Sequence, residues 1–366
     1  MLAWTERLNF KHHIPFFGIF FLLFFSSVLA DSVHIIAVGD VLLHTPLQKK
    51  GVDKGFDTLW LNVIPEIKSA DIAYANLEGP VAEMINRRGN FTTSNTEAYT
   101  SYPMFNYPPA LIDALKLSGF TVLSTANNHA LDRYGVGIDK TVANLYANKI
   151  VFTGTRRKNS EDAWYAETTS KDISIAWLAC TQNTNGIADT HRQVLMCNRD
   201  KKIILDLIGE LAQKYDAVIV TPHWGVEFQD SPNQDQQKLA SELAEAGALA
   251  ILGSHPHCVQ PMRWIVTKAG KKVFVAYSLG NFVSNQSNLK NRSSGLLSLY
   301  VVKKDGNTFI EKIAYQPTYM ENRNNKMQLD LVNSKKHLAY KWLSKILGEG
   351  YLTTSEDQID RVKSIN

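Results

Sequence analysis

The sequence predicts an α/β fold with much parallel strand pairing, and three observations lead there. Short runs rich in Ile, Val, Ala and Leu alternate with segments of helical spacing, the pattern of strand–helix–strand units. Polar residues recur where the apolar runs end, as Gly39-Asp40, Asn76-Leu77-Glu78, Asn127-Asn128-His129, Pro222-His223-Trp224 and Ser254-His255-Pro256-His257. The 366 residues are 45% hydrophobic and 20% charged, enough for a sizeable core in one large domain or two ordinary ones.

In chain order, residues 33–38 read as a buried strand. Residues 58–69 have helical spacing, with Leu59, Val63 and Ile67 on one face. A second strand follows at 71–76. Residues 108–117 form a helix whose first turn suits Pro108 and Pro109, and Gly119 breaks it before a strand at 120–124. An amphipathic helix at 135–148 leads to a strand at 150–153. Then come a strand at 173–180, a helix near 202–214, a strand at 217–221, a helix near 233–246, and strands at 248–253 and 273–278. Beyond Gly295 the pattern changes. Strands at 296–302 and 309–317 have no helix between them, an antiparallel addition. Residues 320–326 read as a polar loop, 337–347 as an apolar-striped helix packing back on the core, and 355–366 as a tail. The long polar and aromatic stretch 86–107 has no periodicity and reads as a lid or binding loop.

Residues 1–30 are a different kind of sequence. Arg7 and Lys11 precede the apolar run 16–25, and small residues lead to Ala30, the layout of a signal peptide cut after that residue. The run is short beside the roughly 20 residues of a membrane span; an uncleaved N-terminal anchor is the alternative. Either way the protein is expected to be exported, periplasmic or otherwise extracytoplasmic. The net charge of +4 is small, and Lys and Arg form no long block, so charge makes no case for nucleic acid. Export to an oxidising compartment favours a Cys180–Cys197 disulfide over two free thiols. Cys258, beside His257, is then left as a small core residue or a soft metal ligand.

The residues at the strand ends are carboxylates, amides and imidazoles. In an open α/β sheet such ends line one crevice. Asp40, Glu78, Asn128, His223, His255 and His257 would there supply the oxygen and nitrogen donors that one or two divalent ions need. Glu78 could bridge two ions. In an extended His-x-His segment both rings point the same way. His44, four residues after Asp40, is a further candidate, whereas His34 and His191 read as structural. His129 suits a general acid because imidazole titrates near neutrality. Asp132 either orients His129 or caps the following helix. Trp224 either walls the pocket or packs in the core. Asn281, after the strand at 273–278, either contacts substrate or holds a turn. Arg87 and Arg88 either pair with an anionic substrate or form a solvated charge pair.

The ordered set Gly39-Asp40, Asn76-Leu77-Glu78, Asn127-Asn128-His129, His223-Trp224-Gly225, Gly253-Ser254-His255-Pro256-His257 and Ser278-Leu279-Gly280-Asn281-Phe282 resembles the bacterial capsule-synthesis family called CapA or PGA_cap. The resemblance spans roughly residues 34–283. It implies a calcineurin-like metallophosphoesterase-type β-sandwich flanked by helices, occupying residues 31–325, with a C-terminal helix and tail at 326–366. It assigns Asp40, Glu78, Asn128, His223, His255 and His257 to metal ligation and His129 to general-acid catalysis. Asn127, Asn281 and Trp224 stand as the residues facing substrate. This chain departs from the wider superfamily in three places. Asp40 is not followed by an Asp-x-His motif, Glu78 replaces an aspartate, and Asn127 replaces a glycine.

The family implies a role in poly-γ-glutamate capsule biosynthesis. The expected activity is metal-dependent hydrolysis of an amide or phosphoester in an anionic envelope polymer, with Mn, Fe, Zn and Mg all compatible. The alternative is a non-catalytic factor that binds the polyanion for export or attachment. A third reading is a conventional phosphoesterase acting on nucleotides. Membrane-bound synthase subunits are the expected protein partners, and nucleic acid is not.

Overall fold

The computed structural model describes residues 32–322 and 326–354. The leader at 1–30, part of the 320–326 loop and the tail at 355–366 fall outside the described residues.

Strand β1 (Val33–Val41) is followed by helix α1 (Thr45–Lys54), two short 3-10 turns and helix α2 (Ile64–Ser69). The single helix expected at 58–69 is thus broken. Trp60 leaves helical geometry at φ −136° because its ring is buried and its indole N–H donates to Ser118 Oγ at 2.7 Å. Next come β2 (Ile72–Leu77), the short helix α3 (Asn95–Ala98), α4 (Ala110–Leu117), β3 (Val122–Ser124), α5 (Tyr134–Ala147) and β4 (Val151–Thr153). The second half begins with β5 (Tyr165–Ser170), β6 (Ile173–Thr181), α6 (Lys201–Lys214), β7 (Ala217–His223), α7 (Gln234–Ala246) and β8 (Ala250–Leu252). It continues with β9 (Met262–Val266), β10 (Lys272–Ala276), β11 (Asn281–Val283), α8 (Leu289–Arg292), β12 (Ser293–Lys304), β13 (Asn307–Glu321), β14 (Gln328–Leu331) and α9 (Leu338–Leu347).

These strands make two sheets rather than one open sheet. The first runs β14-β13-β12-β1-β2-β3-β4, with β11 alongside β1; the second runs β5-β6-β7-β8-β10-β9. Pairing is parallel through β1-β2-β3-β4 and through β6-β7-β8-β10, and antiparallel where β12, β13 and β14 extend the first sheet. The facing sides interlock: Val33, Ile35 and Tyr74 of one sheet pack on Ile175, Trp177, Ile219 and Phe274 of the other. Tyr74 stacks on Trp177 with ring centroids 5.6 Å apart.

Both outer faces are apolar and are covered by helices. Ile36, Ala73 and Leu123 pack under Leu47, Leu111 and Leu115 of α1 and α4. Leu178, Val220 and Val275 pack under Ile204, Ile208, Leu239 and Leu243 of α6 and α7. Strands buried on both sides are continuous apolar runs rather than alternating ones, which is how β1, β2, β6 and β7 read. The result is a four-layer α/β/β/α sandwich. Strand β14 belongs to the first sheet, and α9 buries Ala339, Leu343 and Leu347 against the inter-sheet core.

Candidate metal centre

The carboxyl ends of the parallel strands of both sheets open at one end of the sandwich. Asp40 ends β1 in register with Asn76 of β2 and Asn281 of β11. His223 ends β7 opposite Thr181 of β6 and bridges to Ser254. Asp40 follows Gly39, where no side chain fits: a Cβ there would overlap the Gly280 carbonyl oxygen. The Asp40 N–H donates to that same carbonyl at 2.9 Å, so the loop carrying Asn281 lies flat on the end of β1.

Six predicted donors meet here. Glu78, His223 and His255 each bring a ligating atom within 4.8 Å of the others, and Asp40, Glu78 and His257 do the same. Glu78 belongs to both groups. Its Oε1 lies 3.7 Å from His223 Nε2 and 3.7 Å from His257 Nε2. Asn128 Oδ1 is 2.9 Å from His223 Nε2, and His255 Nδ1 is 3.1 Å from that same nitrogen. Every one of these side chains is buried.

The two histidines of the His-x-His segment do converge, but not through strand alternation. His255 has φ 98° and His257 φ 56°, in a turn rather than a strand. Left-handed backbone at two non-glycine residues is costly, and such strain is typical of functional sites.

Burial dominates the electrostatics. Desolvation pushes the Glu78 carboxyl well above its ordinary range, and the neighbouring Asp40 adds to the rise. Burial drives the His223 imidazole well below 6.5 and His255 down to about 4, with the adjacent histidines pushing the same way. Both rings are therefore neutral and free to ligate. His257 is the exception. Burial lowers it, but Glu78 and Asp40 overcome burial and hold it up at about 9. His44 is lowered to about 4, mainly by burial, and its Nδ1 accepts from the Asn285 N–H at 3.4 Å.

The donor set suits a divalent cation. Both carboxylate oxygens of Glu78 are buried with no hydrogen-bond partner, an arrangement a protein rarely keeps without a cation to face. Neutral imidazoles, carboxylates and an amide oxygen are what a hard or borderline divalent ion takes. Supporting contacts fix the ligands. His223 Nδ1 pairs with Ser254 Oγ at 2.8 Å, and Asn76 Nδ2 donates to Asp40 Oδ1 at 2.8 Å.

His129 and Asp132 sit beside this cluster. His129 Nδ1 is 2.7 Å from Asp132 Oδ2, which also accepts the Phe105 N–H at 2.6 Å. Asp132 does not cap α5: Arg133 is the N-cap residue and no side-chain cap bond is made. Of the two alternatives for Asp132, the orienting one is observed.

The three residues expected to face substrate are placed as supports. Asn127 Oδ1 accepts the His129 N–H at 3.2 Å, and its amide donates to the Leu77 carbonyl at 2.8 Å. Asn281 Nδ2 reaches the carbonyls of His257 and Asn291 at 3.1 and 2.9 Å, holding the turn. Trp224 is wholly buried among Leu239, Leu243 and Val275, with its indole N–H on the Tyr277 carbonyl at 2.8 Å. It packs in the core instead of walling the pocket. Arg87 and Arg88 line a surface cavity of about 560 Å³ with Thr96, Glu97 and Thr100, and none of the clustered donors lines it. Sequence reasoning missed Asn76, Ser254 and Asn185. The first two were visible inside the quoted motifs as polar residues next to ligands.

The sequence matches the family model of the bacterial capsule synthesis protein PGA_cap over residues 34–286. The chain belongs to the PGA_cap family. Among curated relatives, the PGA biosynthesis protein CapA of Bacillus subtilis (strain 168) is 28% identical, aligned over 89% of this chain and 83% of that protein. The capsule biosynthesis protein CapA of Bacillus anthracis is 25% identical, over 89% and 76%. Among solved structures, the calcineurin-like phosphoesterase YfkN from Bacillus subtilis superposes with a TM-score of 0.46 at 13% identity, covering 81% of this chain and 94% of that one. In this PGA_cap chain, no helix among the described residues is long and apolar enough to cross a membrane.

Proposed function

We propose that this chain is an exported, metal-dependent hydrolase acting on an anionic envelope polymer of the poly-γ-glutamate type. One observation carries the reading: the buried Glu78 carboxylate, without a hydrogen-bond partner, between His223 and His257, 3.7 Å from each. Asp40, Glu78, Asn128, His223, His255 and His257 would hold one or two divalent cations. The bound cation supplies Lewis-acid activation of water and of the scissile group. His129 donates a proton to the leaving group. Its Nδ1 is committed to Asp132, which fixes the ring and leaves Nε2 for proton transfer. The Cys180–Cys197 disulfide fits an oxidising, extracytoplasmic setting. Capsule biosynthesis in the named relatives supports the polymer assignment.

The test incubates purified protein, from residue 31 onward, with poly-γ-glutamate and each of Mn²⁺, Zn²⁺ and Mg²⁺. Released glutamate and chain length are followed beside a His129→Ala variant. Metal-dependent shortening that the variant loses supports the hydrolase. Tight polymer binding with no cleavage under any metal would instead favour a non-catalytic binding factor. A chromogenic phosphodiester run in parallel would expose a conventional phosphoesterase.

A further inference from the structure

The loop between β6 and α6 reaches the metal centre, and one residue on it touches the predicted ligand Asn128 and the neighbouring His129. The loop is pinned at its base by the Cys180–Cys197 disulfide. Arg199 and Arg192 brace it through Asp189 and Asp200, at 2.7–3.3 Å. At its tip the Asn185 N–H donates to Asn183 Oδ1 at 3.0 Å. That turn sets Asn185 at φ 51°, a left-handed conformation that asparagine tolerates better than most residues, and Gly186 follows at φ 77°. The Asn185 side chain is thereby turned onto Asn128 and His129. Asn128 Nδ2 donates to Asn185 Oδ1 at 3.3 Å, and Asn185 Nδ2 lies 3.3 Å from His129 Nδ1.

A side-chain amide ligates a cation only through its oxygen. Its NH₂ end must then find an acceptor elsewhere, or the amide has no reason to keep its oxygen inward. For Asn128 the oxygen faces His223 Nε2 at 2.9 Å while the NH₂ faces Asn185. We propose that Asn185 is a positioning residue of the metal centre, fixing Asn128 with its oxygen toward the cation by accepting from its NH₂. The inference rests on the metal-centre reading above, and it gives the disulfide-closed loop a role at the site.

The test is calorimetric titration of the whole oxidised protein with Mn²⁺. Asn185→Gly removes the acceptor without straining the backbone and is expected to weaken Mn²⁺ binding about 10-fold, the lower end for groups that orient ligands. Because the residue is exposed and glycine accepts its left-handed backbone, the metal-free thermal midpoint should stay close to wild type. Asn185→Asp keeps an acceptor at the same place and should bind Mn²⁺ at least as tightly as wild type. A role confined to loop shape would leave Asn185→Gly at wild-type affinity, because glycine adopts φ 51° freely. Wild-type affinity in Asn185→Gly, or a loss in Asn185→Asp equal to that of Asn185→Gly, overturns the proposal and leaves the metal centre standing. Wild-type protein that binds no Mn²⁺, Zn²⁺ or Mg²⁺ overturns both.

Discussion

His257 Nδ1 lies 3.0 Å from Asp40 Oδ2, although 217 residues separate them in the chain. Asp40 ends a strand of the first sheet, and His257 sits in the loop after β8 of the second. The pair therefore reports directly on how the two sheets are packed. It also ties the two halves of the proposed cation site together before any ion is considered.

Glu78 makes the sharpest case for a cation. Its carboxylate is fully buried, and neither oxygen has a hydrogen-bond partner. Glu78→Gln keeps the size of the side chain and removes the carboxylate that would face a cation. Saturating Mn²⁺ at a hundredfold over its dissociation constant should stabilise wild type by about 2.7 kcal/mol and the variant far less. Thermal melts with and without metal check this. A variant that Mn²⁺ stabilises as much as wild type would show that Glu78 faces no cation.

The His129–Asp132 pair should matter for turnover and not for metal. His129→Ala is expected to lower kcat on a cleavable polymer by about 10²–10⁴-fold. Asp132→Asn should lose most of the same factor, since it alters the group that orients the ring. Mn²⁺ stoichiometry should be unchanged in both, as neither belongs to the clustered donors. Loss of bound metal in His129→Ala would move this histidine from proton transfer to ligation.

Replacing both Cys180 and Cys197 by alanine opens a loop with a sequence separation of 17. The chain-entropy model puts the cost at about 3 kcal/mol. Urea denaturation should show a lower midpoint. Mn²⁺ affinity should also drop, because the loop carries Asn185.

Trp224 tests core against pocket. Trp224→Ala should cost about 3–5 kcal/mol of stability, as for other buried aromatic truncations. The ratio of Mn²⁺ to protein at saturation should stay at the wild-type value in the folded fraction. A variant that keeps its stability and loses only polymer affinity would return Trp224 to the pocket wall.

The disulfide-loop ion pairs give the pH dependence. Burial raises the Asp200 carboxyl, but Arg199 and the Met196 N–H outweigh burial and hold it below its ordinary 3.8. The folded state thus binds fewer protons here than the unfolded chain just under that value. Its contribution is full above 3.8 and is lost as pH falls through the lower folded-state value. The stability gap between wild type and Asp200→Asn should therefore be widest near neutrality and close on acidification. A gap that does not change with pH would refute the linkage.

Much of the scaffold could be read from periodicity. The runs at 33–38, 173–180 and 217–221 are apolar without alternation, and each became a strand covered on both faces. Helices α4, α5, α6, α7 and α9 follow the expected stripes. Several elements escaped notice. Helix α1 carries the polar, weakly striped Thr45–Lys54, β5 is the polar edge strand Tyr165–Ser170, and β11 is only Asn281–Val283. Short or polar elements are held by tertiary pairing and leave little pattern in sequence.

The site divides the same way. Which residue types gather, and that they follow strands, was set locally: a polar residue ends each apolar run where the chain leaves the sheet. How they meet was not. Residue spacing alone suggested one open sheet and an extended His-x-His segment. Only packing two sheets face to face brings Asp40 and Glu78 against His223, His255 and His257, and only left-handed turns at His255 and His257 aim both rings at Glu78. The supports Asn127, Asn281 and Trp224 show the limit most plainly. Each is a polar or aromatic residue inside a motif, and whether it faces solvent, substrate or core depends on neighbours that are remote in sequence and fixed only by burial.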